Sequence, residues 1–400
     1  MQPGGPSRRN MRLRPEMVAP DDGLPLREGA ARFHLGTGFF NPGARPARDL
    51  GVLLARVQAK RRPLRVLDLM AGCGLRSLRY GLEAQARSLF VNDADPARLP
   101  FSRANLAVLE GTCLLRQTAQ KARFLLADCV LRGERFDLVD LDAFGSPHAL
   151  VPMALEVVAF GGVLYLASTD GRGSTGHDRT AGLRHLGASA RCHPASWELA
   201  LRLQLGVIAR AAWSQGRGMK PVFSFCDGRA FRTAVRLQRH PSPHEEGELG
   251  MLAVCHRCGD QQVQSLLTLN RWRPCFCGPA GLSALTVSGP LWIGPLQDIC
   301  SLDAMAEEGQ QHAISVSPLS ERLRGRLRTD RGWPACSWSP GQIAKGIAGS
   351  QPPLPALVDG LREAGFQATA NGVMPGYLRS DAPWNIILTV AGDLARAAAK

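Results

Sequence analysis

An aspartate and an aromatic ring two residues apart are the side chains of this sequence best suited to chemistry. The segment FDLVDLDAFGSP (136–147) predicts a buried strand that ends at Asp142 and a turn that carries Phe144. A carboxylate at this place can accept hydrogen bonds from an amine and take up the proton that the amine releases. An aromatic ring can stack on a nucleic-acid base, which is worth about 1–3 kcal/mol. The competing interpretations are a helix N-cap for Asp142 and core packing for Phe144.

A glycine turn follows an earlier buried strand. LRVLDLM (64–70) predicts the strand, and Gly72 and Gly74 lie in the turn that precedes a helix. Glycines in such a turn let the backbone come close to a ligand. Ser77 stands where the G-x-G-x-x-G motif of a dinucleotide fold needs its third glycine. The turn alone is therefore weak evidence, and it is also compatible with a plain tight turn.

Acidic residues are predicted at the ends of the next two strands. Asp93 ends SLFVND (88–93), where it can accept both hydroxyls of a ribose, and Asp128 ends FLLAD (124–128), where it can bind an adenine amino group. Ligands of open parallel sheets bind outside the carboxyl ends of the strands. This order predicts S-adenosylmethionine (AdoMet) as the cofactor. The alternative is that these acids merely end strands.

The elements that position these residues alternate between strand and helix patterns. Such alternation predicts an α/β fold with a parallel sheet and helices on both faces. We expect a Rossmann-like class I methyltransferase domain followed by a smaller C-terminal α+β domain. The remaining predicted elements are the strands VLYLAS (163–168) and FRTAVRLQ (231–238) and the helix SWELALRLQLGVIARAAW (196–213).

The domain boundaries follow changes in composition. Residues 1–25 are rich in Gly, Pro and Arg and predict a disordered basic tail, with a fragment of an organelle transit peptide as the alternative. The methyltransferase domain is expected over 26–239. The polar segment HPSPHEEGE (240–248) predicts a linker. Residues 249–400 are expected to form a C-terminal RNA-binding domain.

The charge of the chain favours a polyanionic partner. Of its 400 residues, 48 are Lys or Arg and 34 are Asp or Glu, which gives a net charge of +14. An anionic membrane surface is the competing explanation. The most apolar stretch (149–168) contains Glu156 and two glycines, so it does not predict a membrane span. The 11 scattered cysteines do not form a secreted disulfide pattern, and we expect a cytoplasmic protein without an obligate protein partner.

Six segments in order resemble the tRNA (guanine-26, 2-amino) dimethyltransferases, which are AdoMet-dependent class I enzymes. FDLVDLDAFGSP is close to the family's D-x-I-D-x-D-P-F-G-S-P and is the most specific of these matches. The resemblance extends from about Glu28 to Trp384. The other five segments are FFNPGARPARDLGV (39–52), AGCGLRSLRY (71–80), RLQLGVIARAAWSQGRGMKPVFSF (202–225), GPLWIGPLQD (289–298) and PGYLRSDAPW (375–384).

The resemblance implies a reaction and a set of roles. It implies transfer of one or two methyl groups from AdoMet to the exocyclic 2-amino group of a guanine in tRNA, with guanine 26 as the expected position. Asp142 is implied as the catalytic carboxylate and Phe144 as the ring that stacks on the base. The residues implied to bind AdoMet are Arg48 and Arg76, Asp93 at the ribose, and Asp128 with the backbone of Cys129 at the adenine.

Three departures from the family pattern lie close to these residues. Ala143 replaces a proline, which loosens the turn that carries Phe144. STDGRGSTG (168–176) replaces A-T-D-T-A-P-L-C-G and keeps Asp170 but not its neighbours. Cys73 replaces the threonine of the glycine turn. These changes keep two alternatives open: a base-amine methyltransferase for another nucleic acid, and a non-catalytic tRNA-binding protein on a decayed scaffold.

Four cysteines are spaced as C-x₂-C-x₁₆-C-x-C in the segment 255–277. Structural zinc sites usually have C-x₂-C in both halves, and here only the first half fits. Some members of the family that this chain resembles carry a four-cysteine zinc site in this region. The alternative is a metal-free remnant. The candidate ligands are Cys255, Cys258, Cys275 and Cys277.

Basic residues are concentrated after the predicted catalytic strand. Lys and Arg contacts to phosphates give affinity without reading sequence, as recognition of a folded tRNA by its shape requires. Solvated helix faces explain part of the set. Its members are Arg172, Arg179, Arg184, Arg191, Arg202, Arg210, Arg217 and Lys220.

Overall fold

The computed structural model describes residues 24–36, 38–228, 230–275, 277 and 285–398. Nearly all of the segment predicted as a disordered tail, 1–25, therefore lies outside the described residues. The strands are β1 (Leu26–Glu28), β2 (Ala31–Phe33), β3 (Arg65–Asp68), β4 (Ser88–Asn92), β5 (Leu114–Thr118), β6 (Phe136–Asp142), β7 (Val158–Ser168), β8 (Gly218–Cys226), β9 (Phe231–Gln238), β10 (Leu249–Cys255), β11 (Gln261–Ser265), β12 (Leu285–Trp292), β13 (Ser337–Trp338), β14 (Ala368–Ala370) and β15 (Leu378–Ser380).

The helices lie mostly between these strands, as the alternating pattern predicts. They are α1 (Arg45–Ala59), α2 (Leu75–Leu82), α3 (Leu99–Leu106), α4 (Ala122–Leu131), α5 (Val151–Val157), α6 (Gly171–Ser174), α7 (Arg179–Leu186), α8 (Ser196–Ser214), α9 (Ile299–Gln311), α10 (Pro318–Arg328), α11 (Pro340–Gly346), α12 (Leu354–Glu363) and α13 (Trp384–Ala398).

A seven-stranded sheet forms the centre of the larger domain. Its strand order is β5-β4-β3-β6-β7-β9-β8. The five strands from β5 to β7 are parallel, whereas β9 is antiparallel to both β7 and β8. The strand order reverses between β3 and β6, and ligands of open α/β sheets bind at such a switch point. The predicted Rossmann-like α/β fold is thereby confirmed.

The strand predicted over FLLAD (124–128) is wrong, because this segment lies in helix α4. Leu125, Leu126 and Cys129 are buried along one side of that helix, whereas Phe124 is exposed. A short apolar run fits a helix face as well as a buried strand. The third parallel strand is instead β5, an edge strand whose side chains are only partly buried, which explains its weak sequence pattern.

Helices cover both faces of the central sheet. One apolar core contains side chains from α1 and α2 and from the later helices α9 and α10, including Leu302 and Leu327. The other core contains side chains from α4, α5 and α8, including Leu126 and Leu205. Helices α9 and α10, although they follow the predicted linker, thus pack on α1 of the first domain.

Two buried arginines connect distant parts of the chain. Arg79 of α2 donates hydrogen bonds to Glu28, Asp49 and Glu83. Arg379 of β15 likewise pairs with Glu198 of α8 at 2.7 Å and with Asp330 at 2.8 Å. A buried guanidinium is tolerated only when such partners replace its water. These groups fix the N-terminal hairpin to α2 and the last strand to α8.

The C-terminal part contains two small antiparallel sheets. One has the order β11-β10-β12 and the other the order β13-β15-β14. Trp338 and Trp384 stack with ring centroids 5.6 Å apart in the core beside the second sheet. The predicted smaller α+β part is therefore confirmed. Among the described residues, none of the helices is long and apolar enough to cross a bilayer.

Candidate active site

Asp142 lies at the carboxyl end of β6 between two arginines. Arg76 Nη2 lies 2.6 Å from Asp142 Oδ2, and Arg232 Nη1 lies 3.1 Å from Asp142 Oδ1. Burial of the carboxylate favours its neutral form, but the two guanidinium groups outweigh burial and lower the pKa of Asp142 to about 2. Asp142 is therefore ionised at neutral pH, and it is not the cap of a following helix.

The register of the central sheet explains how Arg232 reaches this site. Asp142 of β6 pairs with Ala167 of β7, and Ala167 pairs with Arg232 of β9. The three residues form one row across the sheet, in which the outer two lie about 10 Å apart. An extended arginine side chain spans that gap. Asp227 holds the other end of this guanidinium through a 3.0 Å contact to Nε.

Buried acids surround Arg76 on the opposite side. Asp140 accepts hydrogen bonds from Arg76 at 3.2 Å and from the hydroxyl of Tyr80 at 2.6 Å. Asp68 of β3 lies opposite Asp140 of β6 in the sheet register. It accepts a 2.7 Å hydrogen bond from Ser77. Burial, reinforced by the charge of Asp140, raises the pKa of Asp68 to about 8. Asp68 thus stays protonated at neutral pH while Asp142 is charged.

The turn after Asp142 exposes Phe144. Its side chain is 78% exposed, so core packing is ruled out. It meets the exposed ring of Phe39 edge-on, with centroids 5.5 Å apart. Gly145 N donates to Thr169 Oγ1 at 2.6 Å, and Gly145 O accepts from Ser168 Oγ at 3.1 Å. These bonds hold the turn in a chain that has alanine rather than proline at position 143.

Asp93 and the glycine turn line a small pocket beyond the end of β4. Asp93 accepts hydrogen bonds from Gly72 N at 2.8 Å and from Asp95 N at 2.9 Å. Its carboxylate has lone pairs left for a ligand. Gly72 has a φ of 57°, and a Cβ placed there would meet nothing within 4 Å. The pocket is also lined by Arg98, Ser102 and Thr118.

The Nη1 atom of Arg98 is buried beside this pocket without a partner among the described residues. A buried donor of this kind carries an energetic cost unless a ligand or water satisfies it. Sequence reasoning missed Arg98, because an arginine after the ribose acid has no distinct pattern.

Arg48 lies near the glycine turn but is held by its own partners. Its guanidinium donates to Glu28 at 2.6 and 2.8 Å and to the carbonyl of Asn41 at 3.1 Å. Burial raises the pKa of the Cys73 thiol, and the nearby charge of Arg48 counters part of that rise. Arg48 is thus bound within the N-terminal segment, whose Glu28 also accepts a hydrogen bond from Arg79 of α2.

Asp128 and Cys129 do not lie at the end of a strand. Both are in α4, where Asp128 pairs with Arg132 at 2.9 Å and Cys129 is completely buried. Neither lines the pocket that contains Asp93. Thr118, the last residue of β5, occupies the position that the sequence pattern assigned to Asp128. Its hydroxyl donates to Asn92 at 2.9 Å.

The four cysteines of the predicted zinc site come together. The Sγ atoms of Cys255, Cys258, Cys275 and Cys277 all lie within 4.8 Å of one another. Three of the Sγ–Sγ distances are 3.2, 3.3 and 3.4 Å. Sulfurs at the corners of a tetrahedron with Zn–S bonds of about 2.3 Å lie about 3.8 Å apart. The short C-x-C half therefore does not prevent a four-sulfur site.

Comparison with known proteins identifies the family. The chain matches the family described as N2,N2-dimethylguanosine tRNA methyltransferase over residues 32–391. It is 31% identical over 354 residues to the tRNA (guanine(26)-N(2))-dimethyltransferase of Methanosphaerula palustris, covering 87% of this chain and 90% of that one. It is 26% identical over 400 residues to the enzyme of the same name from Thermococcus kodakarensis, covering 94% and 99% of the two chains.

A solved structure shares the fold over most of the chain. The complex of Trm1 from Pyrococcus horikoshii with S-adenosyl-L-methionine superposes with a TM-score of 0.80 at 22% identity, covering 92% of this chain and 99% of the other. Because the family match spans nearly the whole sequence, the chain belongs to the N2,N2-dimethylguanosine tRNA methyltransferases, enzymes that take methyl groups from AdoMet.

Proposed function

We propose that this chain methylates the exocyclic 2-amino group of guanine 26 in tRNA, with Asp142 as the catalytic carboxylate. Membership of the family supports a guanine in tRNA as the target, and the names of the relatives specify position 26. The observation that carries the proposal is the ionised Asp142 beside an exposed ring, Phe144, at the switch point of the sheet. This arrangement supplies an acceptor for amine hydrogens and a stacking face for a base.

We propose that the pocket at Asp93 receives the adenosine end of AdoMet. Open space next to the Gly72 backbone leaves room for a ligand. The Nη1 atom of Arg98, which has no partner among the described residues, calls for an acceptor. Asp93 would bind the ribose hydroxyls. Thr118, rather than Asp128, would lie near the adenine.

The two arginines implied by the family resemblance are proposed for the methionine end of the cofactor. The charge of Arg48 acts on Cys73 of the glycine turn, and the role of Arg48 in binding AdoMet is proposed from the resemblance. Arg76 contacts Asp140 and Asp142 through one hydrogen of each terminal nitrogen. Three of its five N–H groups therefore remain for a carboxylate. Arg76 would then connect the cofactor with the catalytic carboxylate.

The side chains of this protein mainly orient the amine for the transfer. The cofactor, when bound, supplies an electrophilic methyl group on a sulfonium centre. Asp142 would accept hydrogen bonds from the amino group and hold its lone pair towards that methyl. Phe144 would fix the plane of the guanine. As the N–C bond forms, the bond between the methyl carbon and the sulfonium sulfur breaks. The nitrogen then loses a proton to Asp142, directly or through a water molecule, because a carboxylate is a stronger base than water.

The four-cysteine cluster is proposed to hold a structural zinc ion. Four sulfurs within 4.8 Å and no open ligand position suit a structural rather than a catalytic site. The metal would cross-link β10 to the segment that leads into β12, within the part of the chain proposed as an RNA-binding domain (249–400). Helices α9 and α10 are an exception within that part, because they pack on α1. A cytoplasmic location remains part of the proposal.

Nucleoside mass spectrometry tests the function directly. Unmodified tRNA is incubated with the protein and AdoMet, digested and analysed for methylated guanosines. The matched substrate is the same tRNA with inosine at position 26, which lacks only the 2-amino group. We expect N2-methylguanosine and N2,N2-dimethylguanosine from the first tRNA and none from the second. Equal methylation of both would refute the proposed target, and binding of tRNA without any methylation would favour a non-catalytic protein.

A further inference from the structure

Helices α6 and α7 lie directly beside the turn that carries Phe144. They follow β7, whose end is bonded to that turn: Thr169 N donates to Gly145 O at 3.0 Å, and Gly145 N donates back to Thr169 Oγ1 at 2.6 Å. Any base that stacks on Phe144 therefore brings its neighbouring nucleotides close to this helical pair.

The two aspartates that precede α6 and α7 form hydrogen bonds within this pair of helices. Asp170 accepts a hydrogen bond from Gly173 N and contacts His185 Nδ1 at 2.9 Å. Asp178 caps α7 by accepting from Ala181 N at 2.9 Å. Neither carboxylate forms an ion pair with an arginine among the described residues.

Three exposed arginines of the pair lack acidic partners among the described residues. Arg172, Arg179 and Arg184 are all exposed and form no ion pair. The carbonyl of Arg172 accepts hydrogen bonds from His177 N and Asp178 N, which places it at the start of α7. Arg179 and Arg184 lie on α7, about 7.5 Å apart along its axis. By contrast, some exposed arginines, such as Arg396 with Asp393, are paired.

We propose that Arg172, Arg179 and Arg184 bind the phosphates of the tRNA strand that flank the target guanine. Guanidinium groups match phosphate oxygens in a bidentate geometry, and phosphate contacts fix the register of a nucleic acid without reading its sequence. A base that leaves its stack to reach the enzyme needs compensating contacts of this kind. This inference rests on the proposed function, because it takes tRNA as the substrate of the Asp142 site.

The test measures the salt dependence of tRNA binding. The α6–α7 variant replaces Arg172, Arg179 and Arg184 with alanine, and its affinity for unmodified tRNA is measured between about 50 and 200 mM KCl. Each lost phosphate contact lowers the slope of log K against log [salt] by about 0.7–0.9, so we expect a fall of about 2–3. We also expect a higher KM for tRNA with kcat retained, and unchanged AdoMet affinity by calorimetry.

Two further variants make the result specific. The control variant replaces Arg328, Arg362 and Arg396, which are exposed but paired with acids, and therefore changes the net charge equally. The conservative variant places lysine at the three α6–α7 positions and should keep most of the slope. If the α6–α7 variant has the same slope and KM as the control variant, the surface is wrongly assigned. That outcome concerns tRNA binding by the variants. Failure of the proposed function would be seen differently, as wild-type protein that does not methylate tRNA.

Discussion

The Nη1 atom of Arg232 lies 3.1 Å from Oδ1 of Asp142, although the two residues are 90 positions apart. Arg76 holds the other carboxylate oxygen from the opposite side. The carboxylate is thereby fixed in one plane and kept ionised, with a pKa of about 2. An ionised carboxylate accepts stronger hydrogen bonds from an amine than a neutral carboxyl does, and these two arginines keep Asp142 both charged and oriented.

Replacing Arg232 with methionine is expected to slow methyl transfer without weakening AdoMet binding. The loss of its charge raises the pKa of Asp142 and frees one oxygen, so we expect a rate about 10–100-fold lower, in line with the cost of small misplacements. Single-turnover methylation is measured from pH 5 to 8. The rate of the Arg232→Met variant should fall towards acid pH, whereas the parental rate should not. Arg232→Lys should restore part of the rate.

The control for that measurement is Arg123→Met. Arg123 is exposed, and its guanidinium lies over the ring of Phe124. An Arg232 variant with parental rates at every pH would show that Arg232 only fills space.

Thr169→Val is expected to disturb the turn that carries Phe144. The change removes the acceptor for Gly145 N, a hydrogen bond with a net worth of about 1 kcal/mol. Loosening of the turn should lower the rate of methylation about tenfold, while thermal unfolding shifts by only a few degrees. Thr389→Val removes a hydroxyl from the exposed face of α13 and is the control. If the Thr169 variant methylates tRNA at the parental rate, the hydrogen bond that holds this turn does not contribute to catalysis.

The motif residues could be predicted from the sequence because their signal is local. Asp142 and Asp93 end strongly apolar runs, and Phe144 follows within two residues, so strand and turn are recognised together. Arg232 could not be predicted, since its contact depends on the register of β6, β7 and β9. The placement of Asp128 was wrong because four apolar residues do not distinguish a helix face from a strand, and the true edge strand β5 has too few apolar residues to be recognised.

Asp68→Asn is expected to stabilise the protein, and more so at pH 8 than at pH 4.5. Burial raises the pKa of Asp68 to about 8, whereas the ordinary value for a solvated aspartate is 3.8. The folded state therefore holds the proton that the unfolded state releases, and its stability falls as the pH rises from about 4 towards 8. Asparagine is neutral throughout and can still accept the hydrogen bond from Ser77.

Thermal unfolding at the two pH values measures this difference. Asp95→Asn is the control, because the pKa of the exposed Asp95 is lowered by its bond with Arg98. The Asp95→Asn variant should show no gain in unfolding temperature at pH 8. If Asp68→Asn changes the unfolding temperature equally at both pH values, the result contradicts the claim that the buried Asp68 carboxyl is neutral.

Removal of zinc is expected to destabilise the C-terminal part. Metal analysis of the purified protein should give about one zinc per chain, and Cys258→Ser should lower that content. Loss of the cross-link should lower the unfolding temperature and raise the KM for tRNA, with little change in AdoMet affinity. Cys300→Ser alters an exposed cysteine outside the cluster and is the control. Metal-free protein with parental stability would show that the four thiols need no ion.

The central claim is tested most directly by the single-turnover rate of methyl transfer to tRNA for Asp142→Asn and Asp142→Ala, with AdoMet and tRNA affinities measured on the same samples. Both substitutions remove the charge that accepts the amine hydrogens. We expect the rate of guanosine methylation to fall by about 100–1,000-fold in the alanine variant, since loss of a group that stabilises the transition state costs on this scale. Binding of AdoMet and tRNA should persist. Methylation at the parental rate by the alanine variant would contradict the assigned role of Asp142.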